Sequence, residues 1–212
     1  MKFVAFSDTH GQHNSNKLTQ WFYDNPGDVL LFAGDLQLNS FDGGRGFVKW
    51  IRTLPYKHKV LIFGNHDCNY EYALEEVNEY NNTHITFLNN ESITIDGINI
   101  WGSPYSVQFM DWSFMGTENE LYEIYKNIPT NTNILLTHTP LYGILDETIN
   151  KINVGSMQLR NKVAELHNLK YHIFGHIHEA AGIEKINNTT FFNVSVLDAK
   201  YKLVNMPIKF EI

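Results

Sequence analysis

The sequence predicts an α/β chain in which two sheets pack face to face with helices outside, and three observations carry that reading. Five short β-branched or aromatic runs each pass at once into a Gly or small polar residue and then into Asp, Asn or His. Helix-like stretches alternate with these runs, at residues 18–23, 47–54, 72–80, 118–128 and 156–166. A second kind of strand, short and partly alternating, fills residues 85–102 and returns in the tail.

The five runs are Phe3-Val-Ala-Phe6 before Asp8-Thr9-His10, Val29-Leu-Leu-Phe-Ala33 before Gly34-Asp35, Val60-Leu-Ile-Phe63 before Gly64-Asn65-His66-Asp67, Ile134-Leu-Leu136 before Thr137-His138, and His172-Ile-Phe174 before Gly175-His176-Ile177-His178. Runs this short and uninterrupted read as strands buried on both faces. Open α/β sheets bind ligands beyond the carboxyl ends of their strands, so the five exits can converge on one site. Asp96-Gly97 is a two-residue hairpin signal, and residues 85–102 are expected to form a meander. Thr190-Phe-Phe192 and Ile208-Lys-Phe-Glu-Ile212 extend the sheets. No repeat or low-complexity linker interrupts the chain, so residues 1–212 are expected to form a single domain.

Composition narrows the function. The net charge of −7 argues against a broad basic surface, so a long nucleic acid duplex is not an expected partner. No apolar run reaches the length of a membrane span and Met1 leads directly into a strand, so a cytoplasmic protein without a membrane partner is expected. Cys68 is the only cysteine, which leaves nitrogen and oxygen as the ligands of any metal centre.

Asp8 and His10 stand two residues apart, and an extended backbone would aim both at one face. His176 and His178 repeat the spacing. Alone, each of these residues reads as readily as a loop cap or a hydrogen-bonded structural histidine. Five buried runs that all exit into metal-ligand residue types have no ordinary packing explanation. His58, His84, His167 and His172 lack that context and read as surface or core histidines, with His13 set apart by its nearness to His10.

In this order, Asp-x-His, Gly-Asp, Gly-Asn-His-Asp, His-x-Pro and Gly-His-x-His resemble the motifs of the calcineurin-like metallophosphoesterase superfamily. Trp101-Gly-Ser-Pro104, Tyr142-Gly-Ile-Leu-Asp146 and Val154-Gly155 further resemble the branch of small metallophosphoesterase domain-containing proteins. The resemblance implies a four-layer α-β-β-α sandwich of two mixed sheets, with a dinuclear metal site at the strand C-terminal ends. It assigns Asp8, His10 and His178 to one divalent ion, Asn65, His138 and His176 to a second, and Asp35 to a bridge. Manganese heads the expected metals, with iron, zinc, cobalt and nickel also suited to oxygen and imidazole. The implied activity is two-metal in-line hydrolysis of a phosphoester. His66 falls on the leaving-group side as the acid, and Asp67 is expected to orient it or to cap the following helix.

The substrate is expected to be a small phosphodiester, with a nucleotide preferred. Protein Ser/Thr phosphatases of the superfamily carry an Arg after Gly-Asp and after Gly-Asn-His, whereas Leu36-Gln-Leu-Asn39 and Asp67-Cys68-Asn69 stand here. Tyr105, Phe109, Trp112 and Phe114 offer aromatic surface for a nucleobase. His13, Asn69, Ser103 and Tyr105 are further candidate substrate contacts. The alternatives are a phosphomonoesterase or nucleotidase, and a catalytically weak metal-binding scaffold.

Overall fold

The computed structural model describes residues 1–36, 41–79 and 84–212, without the side chains of residues 41 and 42. The expected helix end at Tyr80, and residues 37–39 after Leu36, lie outside the described residues. In chain order the elements are β1 (Lys2–Phe6), α1 (Asn16–Asp24), β2 (Gly27–Ala33), α2 (Phe41–Thr53), β3 (Tyr56–Ile62), α3 (Glu71–Glu79), β4 (Ile85–Phe87), β5 (Glu91–Ile95), β6 (Ile98–Ser103), β7 (Ser106–Val107), β8 (Met115–Gly116), α4 (Glu118–Tyr125), β9 (Ile134–Thr137), α5 (Met157–Val163), β10 (Tyr171–Phe174), β11 (Gly182–Ile186), β12 (Thr189–Asn193) and β13 (Ile208–Glu211).

Two mixed sheets form, ordered β13-β1-β2-β3-β4 and β11-β12-β10-β9-β6-β5. The strands that carry the five polar exits are mutually parallel within each sheet, so their C-terminal ends lie on one side. Alternation explains the unbroken apolar runs. Val4, Phe6, Leu30 and Phe32 pack with Phe22, Phe47 and Trp50 of the first helix layer. Their neighbours Phe3, Ala5, Val29 and Leu31 turn the other way, against Ile100, Ile134, Leu136 and Ile173 of the second sheet. On the far side of that sheet, Leu135 and Phe174 meet Leu121, Tyr125 and Leu159 of α4 and α5. Helix, sheet, sheet and helix therefore make the four layers expected. A strand buried on both faces has no room for a polar face, which is why the runs contain none.

The local signals for helix starts are legible. Ser15 and Ser156 accept backbone N–H bonds at the starts of α1 and α5, and Thr117 with Glu120 forms a reciprocal capping box at α4. Asp96 and Gly97 take φ of 46° and 83°, the left-handed pair that a tight hairpin between β5 and β6 requires.

The meander is corrected. β5 and β6 pair antiparallel in the second sheet, but β4 pairs parallel with β3 at the edge of the first. The chain changes sheets between Phe87 and Glu91. A three-residue strand carries too little pattern to name its partner, and its pairing is fixed by Ile85 packing into the first helix-side core.

Candidate metal centre

The ligand-type residues sit where the strands end, and the backbone turns sharply there. Asp8, His10, Asp35 and His176 have φ of 55°, 40°, 60° and 72°. Non-glycine residues rarely hold that conformation, which costs on the order of 1–3 kcal/mol each and persists only where surrounding contacts impose it. The expectation that an extended backbone aims Asp8 and His10 at one face is thereby corrected. β1 has ended at Phe6, and left-handed turns swing each side chain inward instead.

All seven residues of the expected ligand set come together. The ligand atoms of Asp8, His10 and His178 lie within 4.8 Å of one another, as do those of Asp8, Asp35 and His138. Asp35 Oδ2 is 3.5 Å from His10 Nε2 and 3.4 Å from His138 Nε2, so a single oxygen faces a histidine of each set. Asn65 Oδ1 lies 2.8 Å from His138 Nε2, and the His176 ring lies 5.0 Å from that of His138. The close approach explains two glycines. A Cβ at Gly64 would strike the Asp35 carboxylate, and one at Gly175 would strike the Asp8 carboxylate and the Ser7 hydroxyl.

The outer contacts fix which ring nitrogens face the centre. His138 Nδ1 donates to the Ala33 carbonyl at 2.8 Å, and His178 Nδ1 donates to the Asp198 carbonyl at 3.1 Å. A carbonyl only accepts, so both Nε2 atoms are left pointing at oxygen: His138 at Asn65 and Asp35, His178 at Asp8 Oδ1 at 3.5 Å. Facing acceptors require a positive species between them, either a proton or a metal ion. Burial opposes charge on both rings, but Asp35 around His138 and Asp8 beside His178 overcome it and raise each pKa to about 9. His176, buried and next to the charge on His138, is lowered to about 3. Asp8 and Asp35 are both held well below the usual carboxylate range, because His178 and His138 outweigh the burial that would raise them.

These observations fit a divalent cation centre. Oxygen and imidazole donors converge without sulfur, Cys68 being exposed, and the buried atoms His10 Nε2 and Asn65 Nδ2 have no hydrogen-bond partner. Among the described residues only imidazoles form ion pairs with Asp8 and Asp35.

The centre opens on a cleft of about 630 Å³. The cleft is lined by Asp35, His66, His176 and His178 of the centre and by the aromatic residues Phe109, Trp112, Tyr142 and Tyr201. His66 lies at the rim of the centre, 5.0 Å from His10 and 4.5 Å from Trp112 between ring centroids. Asp67 is fully buried, and its Oδ2 accepts the backbone N–H of Asp35 at 3.1 Å and of Gly64 at 2.8 Å. That oxygen ties the β2 and β3 exits together.

The four further substrate candidates do not line the cleft, and three have evident physical reasons. His13 is buried between Phe47 and Trp50, which lowers its pKa to about 4. Ser103 is fully buried and donates to Asn90 Oδ1 at 2.7 Å. Tyr105 packs with the second helix layer and against Phe114. Asn69 stands on the turn before α3, where its carbonyl accepts from Tyr72 N. Of the aromatic residues expected to face substrate, Phe109 and Trp112 line the cleft, whereas Phe114 stacks on Phe63 and packs against Tyr70.

Sequence reasoning missed the segment after β12. Ser195 Oγ donates to Asp8 Oδ2 at 2.6 Å, Asp198 holds His178, and the Tyr201 ring rests 4.8 Å from His10 and 5.3 Å from His178. No motif marks these residues.

The family model for calcineurin-like phosphoesterases matches residues 1–180. The human metallophosphoesterase domain-containing protein 1 is 32% identical over 98% of this chain and 69% of its own length. Among solved structures, a phosphopantetheinyl hydrolase from Mycobacterium tuberculosis superposes with a TM-score of 0.62 at 15% identity, covering 94% of this chain and 90% of its own. A dimetal phosphatase from Danio rerio gives 0.53 at 9% identity, covering 91% and 86%. At such identities the two structures share the fold. The matched span holds every residue of the candidate cage, and this chain belongs to the calcineurin-like phosphoesterase family of metal-dependent phosphoesterases.

Proposed function

We propose that this chain is a phosphodiesterase acting on nucleotides or other small phosphodiesters, with Asp8, His10, Asp35, Asn65, His138, His176 and His178 as ligands of two divalent ions. Manganese is the first candidate, ahead of iron, zinc, cobalt and nickel. The observation that carries the reading is the position of His66, between the seven-residue cage and the aromatic wall of the cleft. When bound, divalent ions supply charge neutralisation at the phosphoryl oxygens and make water nucleophilic at neutral pH.

The protein's own groups do the rest. Ser195 and the His176 amide hold Asp8 in place. Asp67 fixes the turn from which Asn65 and His66 project. His66 donates a proton to the departing oxygen. Phe109 and Trp112 give a flat ester group a surface on which to stack. The cleft lining contains Asp35 and Glu179 but no Lys or Arg among the described residues. With no side-chain cation to meet the second charge of a monoester dianion, that charge would fall to the bound ions alone, which supports the diester reading.

Monoester hydrolysis is the runner-up, and a catalytically weak scaffold is the reading from another class. The intact leaving-group histidine favours an enzyme, since a binding module needs no acid. The deciding experiment measures bound metal together with hydrolysis of an aryl phosphodiester and an aryl phosphomonoester in each of the five ions. A screen of cyclic and linear nucleotides follows. Diester turnover with two ions bound is expected. No turnover in any ion, with the metal bound, rejects the enzyme reading, and faster monoester turnover rejects the diester preference. Replacing His66 by Ala is expected to cut turnover while leaving metal content intact.

A further inference from the structure

The His66 imidazole carries a chemical role yet has little to hold it. Its backbone N–H donates to Asp35 Oδ1 at 2.9 Å, which fixes the main chain. Among the described residues no side-chain hydrogen bond fixes the ring. Its neighbours are two rings, His10 at 5.0 Å and Trp112 at 4.5 Å, the latter inclined by 42°. His10 belongs to the candidate cage, which leaves Trp112 as the ring neighbour outside it.

The arm that carries Trp112 is held from several directions. Ser113 N donates to the Asn65 carbonyl at 3.2 Å, which fastens this arm to the turn that bears His66. The next residue, Phe114, has φ of 49° and is anchored between Phe63 and Tyr70, with ring centroids at 5.9 and 5.0 Å. Two further backbone bonds close the arm, Ser106 N to Phe114 O and Gln108 N to Gly116 O. The backbone that carries the indole is thus anchored, and the indole, 37% exposed, forms part of the cleft wall.

We propose that Trp112 is a positioning residue that holds the His66 imidazole in line with the leaving group; the proposal rests on the acid role of His66 given above. In the step concerned, the oxygen of water forms a new bond to phosphorus and the bond from phosphorus to the leaving oxygen breaks. The electron pair left on that oxygen takes a proton from the His66 imidazole, and the attacking water gives up one of its own protons to solvent, which restores the imidazole. Misplacing an acid by about 1 Å can cost roughly 100-fold, and the cost grows as the leaving group becomes a poorer one.

The test uses aryl phosphodiesters whose leaving phenols run from acidic nitrophenol to weakly acidic phenol. It compares wild type, Trp112→Ala, Trp112→Phe, His66→Ala and the double variant His66→Ala/Trp112→Ala, all metal-loaded. A second readout, independent of turnover, is the His66 Cε1–H NMR signal in histidine-labelled protein loaded with diamagnetic zinc, which an indole this close displaces by its ring current. Trp112→Ala is expected to lower kcat steeply for the poor leaving groups and little for nitrophenol, with KM nearly unchanged. It should also move the His66 signal. Trp112→Phe should restore most of the rate, and the double variant should be no slower than His66→Ala alone.

A His66 signal that does not move in Trp112→Ala overturns the proposal. So does a loss that falls on KM equally across the series, which would make Trp112 a substrate contact only. If His66→Ala itself loses the same factor on every ester, the acid reading fails and takes the proposal with it. If His66→Ala is leaving-group dependent and Trp112→Ala is not, the positioning claim alone fails.

Discussion

Ser195 Oγ donates a 2.6 Å hydrogen bond to Asp8 Oδ2 across 187 residues of chain, and Asp8 is the carboxylate common to both candidate ligand groups. The bond links the start of the chain to a segment beyond the span that the family model matches. Partners that orient a ligand typically change metal affinity by 10–100-fold. Because Ser7 and the His176 amide also reach Asp8, Ser195→Ala is expected to weaken metal binding at the low end, by roughly 10-fold, without unfolding the protein. Competition with a chromophoric chelator measures it, and wild-type affinity would show that the other two donors suffice.

A Cβ at Gly175 would overlap the Asp8 carboxylate and the Ser7 hydroxyl, neither of which can retreat into the packed core beneath them. Gly175→Ala is therefore expected to displace Asp8 from the cage. Overpacking of this kind costs roughly 1–3 kcal/mol. Metal analysis should find less than the wild-type content per chain, and the urea midpoint should fall. A variant with full metal content would mean that β10, and not Asp8, gives way.

The cage holds two carboxylates buried to within 1% exposure, so ions that bind only the folded state should stabilise it. At 100 times the dissociation constant each ion contributes about 2.7 kcal/mol, or a Tm rise of roughly 5–10 °C per ion for a chain of this size. Thermal unfolding of chelator-treated protein, with and without added manganese, is the measurement. Equal melting temperatures would argue against a preformed ion site.

How much of this was legible in the sequence depends on how local each signal is. The exits at Asp8, Asp35, Asn65, His138 and His176 could be read because an uninterrupted apolar run directly precedes each one, and both halves of the signal lie within a few residues. Ser195 and Tyr201 could not, because their local sequence is an ordinary strand end and turn, and their partners Asp8 and His10 lie at the other end of the chain. His13 was misread for a related reason. Its sequence neighbour is His10, but its physical neighbours are Phe47 and Trp50 of α2. The ligand conformations are not legible from spacing, because the two-residue interval suggests an extended backbone whereas the site is built from left-handed turns.

His172, which the sequence left as an ordinary histidine, makes folding sensitive to acid. Thr137 Oγ1 donates to the Thr139 carbonyl at 2.7 Å, so toward His172 it can only accept, and the ring's Nε2 carries the proton at 2.8 Å. Nδ1 is left neutral, buried and without a partner, packed near Phe174 and Phe191. Burial lowers the pKa of the folded protein to about 3, while the unfolded chain keeps about 6.5. Below pH 6.5 the unfolded state binds a proton that the folded state refuses, so stability is full above that pH and is lost as pH falls toward 3. Between pH 7.5 and pH 5 the loss from this one residue is on the order of 2 kcal/mol. His172→Leu should shrink the drop between those two pH values by that amount, measured as urea unfolding free energies at a fixed metal concentration. A variant that falls as steeply as wild type would assign the acid sensitivity to other groups, with His13 the next to test.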